Sequence, residues 1–355
     1  MNFDISPILF KVHQLNQGQR SIYSSYHVLK GNKTMQTIQD LHLFNLKPFF
    51  GLLPFITRSE VEESIKKNSE KNIIQTDEHN VISLTDKGAL MVEEYWNDHP
   101  YFASLNGYSY SQMDIIFWNR CLLLIQSLTS IKNQKKFNPI IQDWKIQAFI
   151  KVYLMNQNQS VDSLLHAIYE EIHSFLVRCE PIQASIFVAL LTSSNSVGLT
   201  LNQVAEREDL TKVEATLIHK ATIHQLISEL LIHDQNTISI LNRLLKDLQK
   251  KSELTVSTQK TKSLLENGLS IKDISKKRQL KSATILDHIV ELALVDPHFS
   301  LKKFMTLEEY LMIQKAIKQS KSHKLKDIKE ALPVAVDYFL IRLVLARKDF
   351  TNGFI

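Results

Sequence analysis

Backbone breakers are scarce in this chain. Glycine and proline occur eight times each, so only 16 of 355 positions interrupt regular structure, against a usual share of about 12%. That excludes a fold built on hairpins and Greek keys and points to a mainly α protein. Cysteine is scarcer still. Cys121 and Cys179 are the only two, too few for a disulfide framework or a paired-ligand motif, which fits a reducing cytoplasm. Long apolar runs are missing too. The longest, around 121–125 and 338–346, fall short of the about 20 residues that a spanning helix needs, and Arg342 interrupts the second. The first ten residues hold Asp4 and no cation, unlike the basic start of a signal peptide. The expectation is a soluble, cytoplasmic protein with no membrane segment.

Catalytic signatures are equally absent. No GxxxxGK[ST] loop is present to cradle a nucleotide triphosphate, and GxGxxG, HExxH and GxSxG do not occur. The 13 histidines are scattered: His219 and His224 are five apart, His166 and His173 seven apart. Neither spacing places two imidazoles on one metal. Glu62–Glu63, Glu93–Glu94 and Glu170–Glu171 are adjacent pairs that point to different sides of a helix. The chain is expected not to be an enzyme and to need no cofactor and no metal.

What is present is unevenly spread charge. Residues 246–355 hold 21 Lys and Arg against 13 acids, a net of +8, whereas residues 1–245 carry a net of −3. A basic last third on a slightly acidic body suggests a polyanionic partner. Within that third, GLSIKDISKKRQLKSATILDHIVEL (Gly268 to Leu292) has the spacing of a helix-turn-helix. A first helix carries Ile271 and Ile274, with the small Ser275 beside them. Leu280 marks the turn, and Ser282 is placed to cap a second helix whose inner stripe is Ile285, Ile289 and Leu292. Lys272, Lys276, Lys277, Arg278, Lys281, Ser282, Thr284 and His288 fall outside that stripe and are the candidate DNA contacts. A helix-turn-helix with a solvated basic face also serves in protein contacts.

The first segment, 1–99, reads as a winged helix. Helices are expected near 5–15 and 21–29, and a third at Ser59–Lys71 with Val61 and Ile65 inward. Two β-prone pieces follow, Ile73–Gln75 and Val81–Leu84, then LTDKG and a helix through Met91, Val92, Tyr95 and Trp96. The helix before the wing is nearly neutral, which assigns this domain to protein contact or scaffolding. The apolar loop Pro48 to Pro54 either tucks into its own core or offers a docking patch.

Residues 100–251 read as a helical middle region, with helices over 112–131, 139–155, 161–177, 181–191 and 238–250. Pro139 and Pro181 stand where helices begin. GLTLNQVAEREDL (Gly198 to Leu210) aligns without a gap on GLSIKDISKKRQL (Gly268 to Leu280), at an offset of 70. This predicts a second helix-turn-helix, but Asn202, Glu206, Glu208 and Asp209 replace Lys272, Lys276, Arg278 and Gln279. Phosphates would be repelled there, so the first copy is read as structural or protein-binding. Ser252 to Thr258 is the linker candidate before a third domain, 252–355.

Several features of that third domain resemble the helix-turn-helix domain at the C-terminus of some RecQ-type helicases. They are the R-x-L-x-x-x-T-I run from Arg278 to Ile285, MTLEEY (Met305 to Tyr310) and the closing LKDIKEALP (Leu325 to Pro333) ahead of an Arg-Leu helix. With TIQDLHLFNL (Thr37 to Leu46), the whole chain resembles the YpbB family of Firmicutes. The resemblance implies a stand-alone protein that supplies this domain to a separate RecQ-type helicase lacking it, with the DNA-contacting helix at Ser282 to Leu292. Asp287 sits oddly in such a helix, because a carboxylate near phosphates is repelled unless it accepts from a cytosine amino group, which argues against a strictly base-reading role.

The reading favoured is a non-enzymatic, DNA-binding accessory protein of a RecQ-type helicase in DNA repair or recombination, cytoplasmic and nucleoid-associated. A transcriptional regulator and a protein-interaction scaffold without DNA contact are the alternatives.

Overall fold

The computed structural model describes residues 4–77, 81–232, 239–249, 253–320, 323–347 and 354. Among them the chain is mainly helical, with nineteen α-helices and a single two-stranded sheet. It begins with α1 (Ser6–Leu15), α2 (Ile22–Lys30), α3 (Met35–Leu43) and α4 (Arg58–Glu70). Strands β1 (Ile74–Thr76) and β2 (Ile82–Leu84) follow, then α5 (Asp86–Asn97) and α6 (Gly107–Tyr110). The middle holds α7 (Met113–Lys132), α8 (Trp144–Met155), α9 (Val161–Leu176), α10 (Pro181–Ala189), α11 (Leu201–Arg207), α12 (Lys212–Ile232) and α13 (Ile240–Arg243). The last third holds α14 (Val256–Glu266), α15 (Ile271–Arg278), α16 (Ser282–Val295), α17 (Leu307–Ser320), α18 (Leu325–Glu330) and α19 (Tyr338–Ala346). None of these helices is long and apolar enough to cross a membrane.

The chain divides into two compact units. One comprises Met1–Lys11, Pro48–Gln75 and Leu84–Gln249; the other comprises Val12–Lys47, Thr76–Ser83 and Lys250–Ile355. The first unit ends at Gln249, and residues 1–99 are divided between the two units.

In the first unit α7 and α12 form the core, because both are apolar around most of their circumference. Phe117, Leu124 and Leu128 of α7 and Leu217, Ile218 and Ile227 of α12 are buried, each side chain contributing about 1.5–3 kcal/mol. Buried charges in this core are paired, as their desolvation requires. Asp114 accepts from the Lys220 ammonium at 2.5 Å and lies 3.4 Å from His224 Nε2. His224 Nδ1 takes the Asn106 N–H at 2.9 Å, so the ring is neutral with its proton on Nε2. Burial alone would raise the Asp114 pKa, but the His224 hydrogen bond and the Lys220 charge outweigh it and hold the carboxyl well below the usual range. Arg120 forms a bidentate pair with Asp247 at 2.6 and 2.8 Å.

The helix, the two short strands and the following helix expected between 59 and 96 form close to where the spacing places them. Thr57 and Glu60 make a capping box at the start of α4, and Val61 is fully buried. Thr85 of the LTDKG motif caps α5 by accepting the Gly88 N–H at 3.1 Å. A Cβ on Gly88 would lie 2.0 Å from the Ile73 carbonyl oxygen, so only glycine allows this approach. Phe49, Phe50, Leu52 and Leu53 are buried, so the apolar loop tucks into the core.

One helix start, one helix end and the linker differ from expectation. α8 begins at Trp144, capped by Asp143, not at Pro139. The segment expected as a helix over 238–250 reaches outside the described residues at both ends; within it the helix stops at Arg243. The linker candidate is part helix, because Thr255 caps α14 and Val256 to Thr258 are its first turn; Ser252 lies outside the described residues.

In the second unit α16 packs on α14, α15, α19 and α3. Ile285, Ile289 and Leu292 are fully buried, the stripe expected from the spacing. Arg347 donates to the carbonyl of Asp296, the C-cap of α16, and to that of Phe299 just beyond it. Orphan carbonyls at a helix C-terminus favour such a cation.

Candidate nucleic-acid interface

The turn between α15 and α16 is built by backbone strain and one hydroxyl. Ser270 caps α15 by accepting the Asp273 N–H. The helix stops at Gln279, which adopts the left-handed region at φ 53°. The Leu280 N–H then donates back to the Ser275 carbonyl at 3.1 Å, and Ser275 Oγ donates to the Leu280 carbonyl at 2.5 Å. Ser275 is therefore more than a small residue at a close approach. It closes the turn from both sides.

The preceding copy repeats this geometry at the expected offset. Thr200 caps α11 with a capping box, Asp209 adopts φ 54°, and the Leu210 N–H donates to the Ala205 carbonyl at 2.8 Å. Each turn follows a helix that packs beneath the second one, α10 against α12 and α14 against α16. The 198–210 segment is thus a second helix-turn-helix in conformation as well as sequence. Glu206 and Asp209 are exposed on it, and Glu208 accepts from Ser185 Oγ at 2.7 Å.

Behind α15 and α16 lies a polar seam that the spacing did not disclose. Glu291 of α16 is buried, and its carboxylate accepts the Thr255 N–H at 2.6 Å together with the Thr255 and Thr258 hydroxyls. It thereby caps the start of α14. Arg278 donates to the Ser257 carbonyl at 2.8 Å, to Ser257 Oγ at 2.9 Å and to Thr261 Oγ1. Thr261 also meets His288 Nδ1 at 2.9 Å. Burial and the Arg278 charge lower the His288 pKa below its ordinary value.

These contacts correct the outward set. His288 is only 6% exposed and points into the seam. Arg278 is half-buried, with its guanidinium committed to α14. Ser282 is exposed as the first helical residue, and the N-cap is Lys281, without a side-chain cap bond. Thr284 is half-buried. Lys272, Lys276, Lys277 and Lys281 are exposed. Among the described residues none of these four ammonium groups has an ion-pair or hydrogen-bond partner.

Asp287, the misplaced acid of the second helix, has a partner that spacing alone could not find. Arg342 of α19 reaches it at 2.7 Å and donates to Gln39 of α3 at 3.1 Å. The apolar run of α19 is broken by arginine for this contact. Among the described residues no three His, Cys, Asp or Glu side chains come together as a metal site.

Comparison with known proteins agrees on the character of this region. A family described as a helix-turn-helix domain matches residues 257–345, which span α14 to α19 almost entirely. Over 333 residues the chain is 29% identical to Protein YpbB of Bacillus subtilis (strain 168), covering 93% of this chain and 94% of that one. No solved structure matches it.

Proposed function

We propose that the chain is a non-enzymatic DNA-binding protein that grips duplex phosphates through the outer face of α15, the turn and the start of α16. One observation carries this reading. Lys272, Lys276, Lys277 and Lys281 stand exposed and unengaged on a helix-turn-helix whose sister copy, with the same turn, presents Glu206 and Asp209 instead. Unpaired ammonium groups at a helix-turn-helix suit a phosphate backbone, and lysine supplies point charge without bidentate base reading. The grip is therefore of low sequence preference. Following the resemblance of the C-terminal region, the protein serves a RecQ-type helicase as an accessory factor in DNA repair or recombination, in the cytoplasm at the nucleoid.

The test is the salt dependence of binding by the full-length protein. Each phosphate contact contributes a log–log slope of about −0.9. Lys277→Glu with Lys281→Glu should flatten the slope by about two such contacts and leave the melting temperature unchanged. The same variant should still co-purify with the helicase. Salt-independent affinity, or normal binding by the double variant, overturns the DNA reading; absence of the helicase from the wild-type preparation overturns the accessory role.

A further inference from the structure

Helix α8 buries one face and leaves a second apolar face bare. Ile146 and Ile150 are buried inside the first unit. On the opposite side Trp144 is 71% and Met155 75% exposed, with Val152 and Ala148 exposed between them. Spacings of four, four and three put these residues in one stripe along the helix. An ordinary surface helix turns polar residues outward; one that is apolar on both sides is suited to burial on both. Exposed tryptophan and methionine in one patch are the residue types that dominate protein interfaces.

The charges beside the stripe select the occupant. Lys145 and Lys151 flank it, and α8 contains no acid. Over residues 131–160 there are five lysines and one acid, Asp143; Lys132 is spent on Asp162 at 2.6 Å, and the surplus remains positive inside a chain whose first 245 residues are net acidic. A second copy of α8 laid on the stripe would bring lysines together with nothing to neutralise them. A nucleic acid strand would find a single exposed aromatic on α8, no arginine, and aliphatic side chains where stacking platforms are needed.

We infer that the Trp144–Met155 face of α8 docks an acidic amphipathic helix of a partner protein. Apolar residues of that helix at three- and four-residue spacing cover Trp144, Ala148, Val152 and Met155, and its flanking carboxylates meet Lys145 and Lys151. This surface lies outside the DNA-gripping face and does not depend on it.

The test places a photo-crosslinking benzophenone side chain at position 152 of the full-length protein in its native cells and sequences the attached segment. The expected product is one segment of another protein with acidic residues beside an apolar helical stripe. A synthetic peptide of that segment should bind the purified protein, and Trp144→Ala or Met155→Ala should weaken it about tenfold with no change in melting temperature. Lys145→Glu with Lys151→Glu should weaken it similarly, and a lysine-flanked version of the peptide should restore binding. A cross-link to this chain itself, to nucleic acid or to no single segment overturns the inference, as does undiminished binding by Trp144→Ala. Loss of DNA binding through Lys277 and Lys281 leaves these outcomes unaltered.

Discussion

Arg342 and Asp287 form an ion pair of 2.7 Å between α19 and α16, with Arg342 mostly covered and Asp287 more open. The pair resolves the one residue that argued against a phosphate-facing helix. A lone carboxylate there would repel DNA, whereas one already paired presents little net charge. Removing the arginine restores the repulsion. Arg342→Ala should therefore weaken DNA binding by about three- to tenfold at low salt, with the difference shrinking as salt screens it. Adding Asp287→Asn should recover the affinity. Because the pair is partly exposed, the effect on stability should be about 1 kcal/mol or less. Fluorescence anisotropy of a labelled duplex against the three proteins measures this; equal affinities would show that Asp287 lies outside the contact.

Arg278 offers a sharper contrast with its lysine neighbours. Its guanidinium is spent on Ser257 and Thr261 of α14, whereas Lys277 beside it is exposed. Arg278→Ala should lower stability by about 1–3 kcal/mol, the cost of losing its hydrogen bonds to the half-buried Ser257 and the buried Thr261, and leave the salt slope of DNA binding unchanged. Lys277→Ala should reduce that slope and leave stability unchanged. Urea titration together with binding at three salt concentrations separates the two residues.

Much of this was legible in the sequence, and each exception has its own physical reason. The spacing placed α4, both strands, α5 and the helix-turn-helix, because each rests on local caps and apolar periodicity. Helix α3 escaped notice because Thr37, Gln39 and Asp40 are buried on it, so polar residues occupy inward positions and break the period. Pro139 misled as a helix start because Asp143, four residues on, does the capping. The inward turn of Arg278 and His288 was illegible because their partners are hydroxyls on a different helix, 17 to 27 residues upstream. Asp287 found its partner 55 residues downstream, at a distance that no periodicity reports.

Acid should destabilise the first unit through His219, whose ring Nε2 is buried without a hydrogen-bond partner among the described residues. Burial, with the neighbouring Lys220 charge, pushes the pKa of His219 down to about 3, and its ring sits edge-on against Trp118 at 4.8 Å. The unfolded chain binds a proton near pH 6.5 and the folded chain does not. Stability is thus lost as pH falls below about 6.5 and continues to fall until the folded pKa is reached. In the second unit His42, pushed down to about 4 by burial and Lys47, acts in the same sense. Melting temperature measured from pH 7 to pH 4 should decline, and His219→Phe should flatten part of that decline. An unchanged pH profile in this variant would show that the ring is hydrated.

Glu291 joins α14 to α16 through a buried carboxylate. Its carboxylate holds the backbone N–H and hydroxyl of Thr255 and the hydroxyl of Thr258, tying the start of α14 to the middle of α16. Hydrogen bonds to a charged acceptor contribute about 1.5–3 kcal/mol each, and a buried donor left without one is costly. Glu291→Ala should therefore destabilise the second unit by at least about 3 kcal/mol, more than the loss of an ordinary helix cap at about 1 kcal/mol. Glu291→Gln keeps an acceptor of the same shape and should cost less than half as much. Both variants should bind DNA with the wild-type salt slope at temperatures where they remain folded, because Glu291 faces away from Lys276, Lys277 and Lys281. Calorimetry of the two variants decides the matter: equal losses for alanine and glutamine would mean that the side chain's volume, not its acceptor, holds α14 in place.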